Sequence, residues 1–318
     1  MIKAQVHRSA KRIFDCSIEG DSKVVPATAL REAIKKYKHI VVGDKVWLEN
    51  ETSGDGYQIV DIEKRNSEIS RFSPREGKSK VIAANCDLLA ILVAVSLPTY
   101  KRGLVDRYLV RAHQWGIKTI LIFNKMDQVS DEAVDLQFEM ERVKPLGVEC
   151  FEISAKFPDS VQPKFGKGME ELNQQLQGKT CIFLGQSGVG KSKTVNALSG
   201  GEFSLKSEAL GKEGKGAHTT TWAELIDCGK FKMIDSPGIR SLALDDIAQE
   251  DLISFFPDLE ELSTKCKFSD CKHKKGTKGC FFYSAGLSFE GNQKVILSRL
   301  ESYHRILDEV IQTPSWKK

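Results

Sequence analysis

Residues 180–198 read TCIFLGQSGVGKSKTVNAL, and the fold follows from how this stretch is parsed. TCIFL is a short apolar run of the kind that forms a strand buried on both faces, and KTVNAL suits a helix. Between them, GQSGVGKS at 185–192 fits the phosphate-binding pattern G-x4-G-K-[ST]. Gly185, Gly188 and Gly190 let the backbone curl, so that N–H groups along Gln186, Ser187 and Val189 can point at phosphate oxygens. A helix starting near Lys191 adds its positive N-terminal dipole. Lys191 is expected to bridge β- and γ-phosphates and Ser192 to ligate Mg2+. Lys193 should lie near the α-phosphate, with a solvent-facing side chain as the alternative.

Outward from this loop the chain keeps one texture. LLAILVAV (88–95), TILIF (119–123), VECFEI (148–153) and KFKMID (230–235) are further apolar runs, separated by helical patterns such as GLVDRYLVRAHQWG at 103–116. This predicts a doubly wound α/β domain, whose ligands bind beyond the carboxyl ends of the strands. Three more motifs sit at those ends. NKMD (124–127) follows TILIF; an Asp there can accept two hydrogen bonds from guanine N1–H and N2–H2, a donor pair that adenine lacks. Asp127 would therefore read the base, with Asn124, Lys125 and Met126 bracing base and loop. SAK (Ser154, Ala155, Lys156) supplies a second guanine contact through a backbone N–H near Ala155. DSPG (235–238) places Asp235 to hold Mg2+ through water and Gly238 to sense the γ-phosphate. The stretch GKEGKGAHTTTW at 211–222 is the switch I candidate, with Thr220 favoured for Mg2+ and Thr219 its rival.

NKMD and SAK precede the phosphate loop, whereas in an ordinary GTPase they follow DxxG. The same sheet can form if the old termini are joined and new ones open after DSPG. The segment after DSPG then becomes the direct tether to whatever comes next.

What comes next is CKFSDCKHKKGTKGC. Cys266, Cys271, His273 and Cys280 offer three thiolates and an imidazole, a closed tetrahedral Zn2+ set of structural type; the alternative is a group of reduced cysteines beside a basic loop. Residues 263–283 hold six lysines against one acid, Asp270, a candidate phosphate-facing patch or a solvated charged loop. The last pattern, 292–312, places Val295, Leu300, Tyr303, Leu307 and Val310 near helical spacing, which predicts a docking helix. At the other end, IVVGDKVWLE (40–49), GYQIVDIEKR (56–65) and SEISRF (67–72) read as short strands with turn clusters between them. They predict a small barrel, an OB-fold first, and SPREGKSK (73–80) then reads as a linker. The expected division is 1–75 for an OB-fold-like RNA-binding domain, 81–245 for the permuted GTPase and 246–318 for a helical zinc-binding domain.

The bulk composition agrees with this. The chain has 318 residues, 41% hydrophobic and 28% charged, with a net charge of only +4, too small to make the whole chain a nucleic-acid binder. No run of about 18 apolar residues suggests a membrane span, and the N-terminus lacks the apolar stretch of a secretory signal. A cytoplasmic setting is expected, which makes the cysteine cluster more apt for metal than for disulfides.

VIAANCD (81–87), GLVDRYLV, GQSGVGKS, GAHTTT (216–221), DSPGIR and CKFSDCKH, with the barrel, resemble the ribosome small-subunit-dependent GTPase A family (RsgA) over nearly the whole chain. The resemblance implies an N-terminal OB-fold, zinc at the four residues named, and GTP hydrolysis stimulated by the 30S subunit during its late maturation. It also implies 16S rRNA as a contact, GTP/GDP, Mg2+ and one structural Zn2+ as the bound groups, and no role for DNA or membrane. A monomer suffices. Switch I in this family usually reads G-R-H-T-T, and Ala217 stands where that Arg would be.

Phosphoryl transfer needs charge neutralisation and an oriented water. Lys191, Mg2+ held with Thr220, and the loop amides answer the first need. Many GTPases align water with a Gln just after DxxG, but Ile239 occupies that place and cannot hydrogen-bond water. Slow intrinsic turnover is expected, with His218, placed before the Thr run as in the family, as the candidate for alignment. The alternative is that His218 only packs or caps switch I. Two other functions stay open: a GTP-regulated RNA-binding module with negligible hydrolysis, and a small-molecule phosphotransferase, against which NKMD and SAK speak.

Overall fold

The computed structural model describes residues 1–10, 13–21, 23–30, 39–51, 56–73, 77–129, 134–203, 223–236, 239, 244, 246–283 and 293–312. The first five strands are β1 (Ile2–Ala10), β2 (Ile13–Ile18), β3 (Val24–Ala29), β4 (Lys45–Asn50) and β5 (Tyr57–Ile62). They pair in the order β1-β2-β3-β5-β4, and β4 returns to β1 with Ile2 opposite Leu48 and Gln5 opposite Lys45. The β3–β5 pairing is parallel and the rest antiparallel. A five-stranded closed barrel of this order is the expected OB-fold. Period-two alternation fills it: Ala4, Val6, Phe14, Cys16, Val25, Ala27, Val46 and Leu48 point inward.

One expectation is corrected here. Of the expected linker 73–80, Ser73 and residues 78–80 lie in strands: β7 (Lys78–Ala84) forms an antiparallel ribbon with β6 (Glu68–Ser73). Lys78 and Ser79 are exposed, so this end of the strand carries no apolar alternation to betray it. VIAANCD closes the ribbon and joins barrel to sheet. Asn85 Nδ2 donates to Gly43 O of the barrel at 2.9 Å, while the Thr180 N–H at the start of the TCIFL strand donates to Asp87 Oδ2 at 2.8 Å.

The central sheet runs β10 (Glu149–Glu152), β9 (Lys118–Asn124), β8 (Leu88–Ala94), β11 (Thr180–Leu184), β13 (Lys232–Asp235) and β12 (Glu224–Asp227). All neighbours are parallel except β12, antiparallel to β13. Every residue of β8 is buried. Leu89, Ile91 and Val93 face one core, packed by α1 (Arg102–Trp115) and α2 (Leu136–Val143). Leu88, Ala90 and Leu92 face the other, packed by α3 (Met169–Leu176) and α4 (Lys191–Leu198). The doubly wound reading holds, and the permuted order does not alter it. The sheet also reaches the barrel: β12 pairs with β1 at Glu224 and Arg8, whose side chains bond at 2.6 Å.

A third core lies under α5 (Pro257–Ser263) and α6 (Gln293–Gln312). All five residues predicted for the docking face of α6 are buried. α6 is further held by charge. Asp106 of α1 is fully buried and bonds Arg142 of α2 at 2.8 Å as well as Arg299 and Ser302 of α6. Arg299 also donates to Asp258 of α5 at 2.8 Å, and Arg142 to Glu139 at 3.1 Å. Buried arginines are tolerated only when paired in this way.

Candidate nucleotide site and metal centre

Parallel pairing brings the ends of β9, β10, β11 and β13 to one edge of the sheet, so the motifs that follow them meet. Asn124 ends β9 and is 2% exposed. Its Nδ2 donates to Val189 O in the phosphate loop at 2.8 Å, and its Oδ1 accepts the Ala155 N–H at 3.0 Å. One side chain thus ties NKMD, GQSGVGKS and SAK together. Gly190 shows why no side chain is possible there: its φ is +100°, and a Cβ would stand 2.5 Å from Asn124 Nδ2.

Lys125 takes a left-handed φ of +65° and its ammonium bonds Leu97 O. That turn buries Met126, whose N–H reaches Ile153 O at 3.1 Å. It leaves Asp127 exposed at the rim. The Ser154 hydroxyl, fully buried, donates to Asp127 Oδ1 at 2.6 Å and accepts the Phe157 N–H at 3.0 Å. Ser154 therefore aims the carboxylate, a role that sequence reading did not assign; it gave SAK only a backbone contact to guanine near Ala155. The Lys156 ammonium lies 4.8 Å from the Phe157 ring centre.

Within the loop, Lys191 opens α4 and its Nζ donates to Gly185 O at 2.7 Å and Gln186 O at 3.0 Å. The ammonium thus lies across the turn that Ser187 and Gly188 complete. Ser192 and Lys193 are exposed on the first turn of α4. Asp235 ends β13, and Ile239 is buried against the Leu225 and Ile234 core. Gly238, Ala217, His218, Thr219 and Thr220 lie outside the described residues. A cavity of about 970 Å3 adjoins the loop, lined by Gly185, Gln186, Lys191, Lys101, Arg107 and Arg305 among others. Its cationic wall suits a polyphosphate neighbour.

The cysteine and histidine ligand atoms of Cys266, Cys271, His273 and Cys280 lie within 4.8 Å of one another. Cys266 Sγ and His273 Nδ1 are 3.5 Å apart, and the Phe281 N–H donates to Cys266 Sγ at 3.3 Å. With Zn–S near 2.3 Å, tetrahedral ligand atoms stand about 3.8 Å apart, so the donor set fits zinc. Burial pushes the Cys280 thiol up to about 12 and raises Cys266. Burial, helped by His304 and Lys272, lowers His273, a shift toward the neutral imidazole that a metal ligand needs. Lys274, Lys275 and Lys278 ring the cluster on exposed turns.

Sequence reading missed Asp106. A signal existed for it: Asp106 stands three and four positions before Leu109 and Val110, on the apolar side of its helix, where a charge needs a partner.

The family description "RsgA GTPase" matches residues 62–245. The small ribosomal subunit biogenesis GTPase RsgA of Flavobacterium psychrophilum is 33% identical over 301 residues, covering 93% of this chain and 86% of the relative. Its namesake in Azotobacter vinelandii is 37% identical over 270 residues, covering 84% of this chain and 74% of the relative. Among solved structures, YjeQ from Thermotoga maritima superposes with a TM-score of 0.74 at 24% identity, covering 98% of this chain and 99% of that one. YloQ, described as a circularly permuted GTPase, gives 0.69 at 24% identity, covering 99% and 96%.

Proposed function

This chain belongs to the RsgA GTPase family, and from that premise we propose that it hydrolyses GTP in the late maturation of the 30S ribosomal subunit, which stimulates its turnover. The observation that carries the reading is the Asn124 staple, which holds the guanine-reading loop, SAK and the phosphate loop in one site. In the proposed mechanism Asp127, aimed by Ser154, selects guanine, and the loop amides with Lys191 hold the phosphates. Ser192, Thr220 and Asp235 would hold Mg2+, which neutralises charge on the phosphates. Ile239 is turned into the core, so the chain must align water by another group, and His218 is that group.

The division into 1–75, 81–245 and 246–318 is part of the proposal. The barrel and the basic metal module grip 16S rRNA, the barrel partly by stacking and the module by its lysines. Cys266, Cys271, His273 and Cys280 hold one structural zinc. The protein works as a cytoplasmic monomer; no described helix is long and apolar enough to cross a membrane.

Adding 30S subunits should raise GTP turnover well above the intrinsic rate, and an unchanged rate would refute the assignment. In the same assay His218→Ala should lower the stimulated rate by roughly 100-fold; a wild-type rate would reduce His218 to packing. The lysine contacts have a quieter signature. Each phosphate contact steepens the log–log salt dependence of binding by about 0.7–0.9. Lys274→Gln combined with Lys275→Gln should therefore flatten the slope of 30S binding by about 1.5, and an unaltered slope would place the RNA elsewhere.

A further inference from the structure

CKFSDCKH (266–273) sets one large apolar side chain, Phe268, among two lysines, a serine and an aspartate. The module around it does have a core. Phe282 is 4% exposed there and meets the His273 ring edge-on, with centres 5.0 Å apart. Phe268 is left out of that core and stays 49% exposed. A single exposed phenylalanine is ordinary on a protein surface. What sets this one apart is how it is held and what surrounds it.

The backbone is fixed on both sides of the ring. The Cys266 N–H donates to Ser263 O at 3.0 Å, the Lys267 N–H to Gly279 O at 2.9 Å, and the Cys271 N–H to Phe268 O at 3.3 Å. Gly279 has a φ of +75°, and a Cβ there would stand 2.7 Å from Lys267 Cβ, so two turns of the module lie directly against each other at this point. The ring therefore projects from a backbone with little freedom left to lose on binding. Cations accompany it. Lys267 Nζ lies 5.7 Å from the Phe268 ring centre, and Lys265 Nζ lies 5.4 Å from that of Phe281. All six lysines of residues 263–283 are exposed, with Asp270 the one acid against them.

We propose that Phe268 is a base-stacking residue, and that the Cys/His module takes an unpaired nucleotide of RNA, its base on the Phe268 ring and its phosphates on the lysines beside it. A flat π face with a cation next to it matches the two halves of one nucleotide. Bases inside a duplex already have both faces covered by their neighbours, so an unpaired base fits this ring and a paired one does not. An acidic peptide would answer the lysines and leave the ring in water. The inference deepens the module's proposed grip on rRNA and rests on it. Lysines alone hold any phosphate backbone, whereas the ring adds a preference for single strands.

Its test is the binding of a short oligouridylate, and of an RNA duplex of the same length, to the purified full chain over a range of salt concentrations. Phe268→Ala should weaken the single strand by about ten-fold at every salt concentration, because a stacked ring releases no counterions, and should change duplex binding by less than about two-fold. Phe268→Trp, which keeps an aromatic face, should bind as the parent does. Phe268→Leu, equally apolar but without that face, should fall with the alanine variant. Lys267→Gln should instead flatten the salt slope by about 0.7. Equal losses for the two RNAs, a leucine variant that binds like the parent, or a tryptophan variant that falls with alanine would each overturn the stacking role. Binding that ignores Phe268 but falls with Lys267→Gln would overturn it and leave the lysine grip standing, whereas a parent chain that binds neither RNA would overturn both. Tighter binding of polyglutamate than of the oligouridylate would put a protein on this face instead.

Discussion

Asp127→Asn should weaken GTP binding by roughly 1000-fold, leave the melting temperature unchanged, and hand the site to xanthosine triphosphate. A carboxylate accepts from both guanine N1–H and N2–H2, and a hydrogen bond to a charged group contributes about 1.5–3 kcal/mol. Losing one, while setting an amide N–H2 against the guanine amine, removes both. Xanthine carries an oxygen where guanine carries that amine, so the Asn amide can donate to it and still accept from N1–H. The fold has no reason to suffer, because Asp127 is exposed and the bond it accepts from Ser154 Oγ can be accepted equally by an Asn oxygen. Competition of xanthosine and guanosine triphosphates for the variant decides the matter. A variant that still prefers GTP would take base recognition away from Asp127.

Much of this site is legible before folding because its parts are local. A phosphate loop is one contiguous turn, and its strand and helix flanks are written beside it. The guanine loop and SAK likewise sit just past apolar runs. What the sequence hides is sideways. Asn124 reaches Val189 across the end of β8, a contact between residues 65 apart in the chain, and no local pattern announces it. Ser154 is hidden for the same reason. The ribbon of β6 and β7 escapes notice because the start of β7 is polar on both faces. The charge hub around Asp106 joins α1, α2, α5 and α6; the sequence places Asp106 on an apolar helix face but does not name its partners, which lie 36 and 193 positions away.

Permutation gains a physical meaning from the same comparison. Cutting the chain after DSPG frees the segment beyond it to run toward the metal module, yet that segment is pinned at Leu244 and Asp246. The new connection shortens the path between switch II and the module in sequence. The contact that holds the two is made by α1, which entered the fold long before either.

The same hub decides how the chain should respond if the proposed zinc is removed. From Thr264 to Cys280 the backbone contains turns and no α-helix or strand, and it buries little beyond His273 and Cys280. So short a segment cannot hold itself by a core, and binding of structural zinc is in effect its folding free energy. Stripping the metal with a chelator, or Cys280→Ser, should therefore unfold this loop and lower the melting temperature by at least about 10 °C. The damage should stop at α6. That helix keeps Arg299 on Asp106 and Glu309 on Arg107, and its apolar face on α1 and α5. Limited trypsin digestion should accordingly cut the stripped protein first at Lys265, Lys267 or Lys272, while the helix spanning Gln293–Gln312 stays protected. Metal analysis of the untreated chain should return close to one zinc per molecule. A chelator that changes neither the melting temperature nor the cleavage pattern would leave the four residues as reduced thiols and a histidine beside a basic loop.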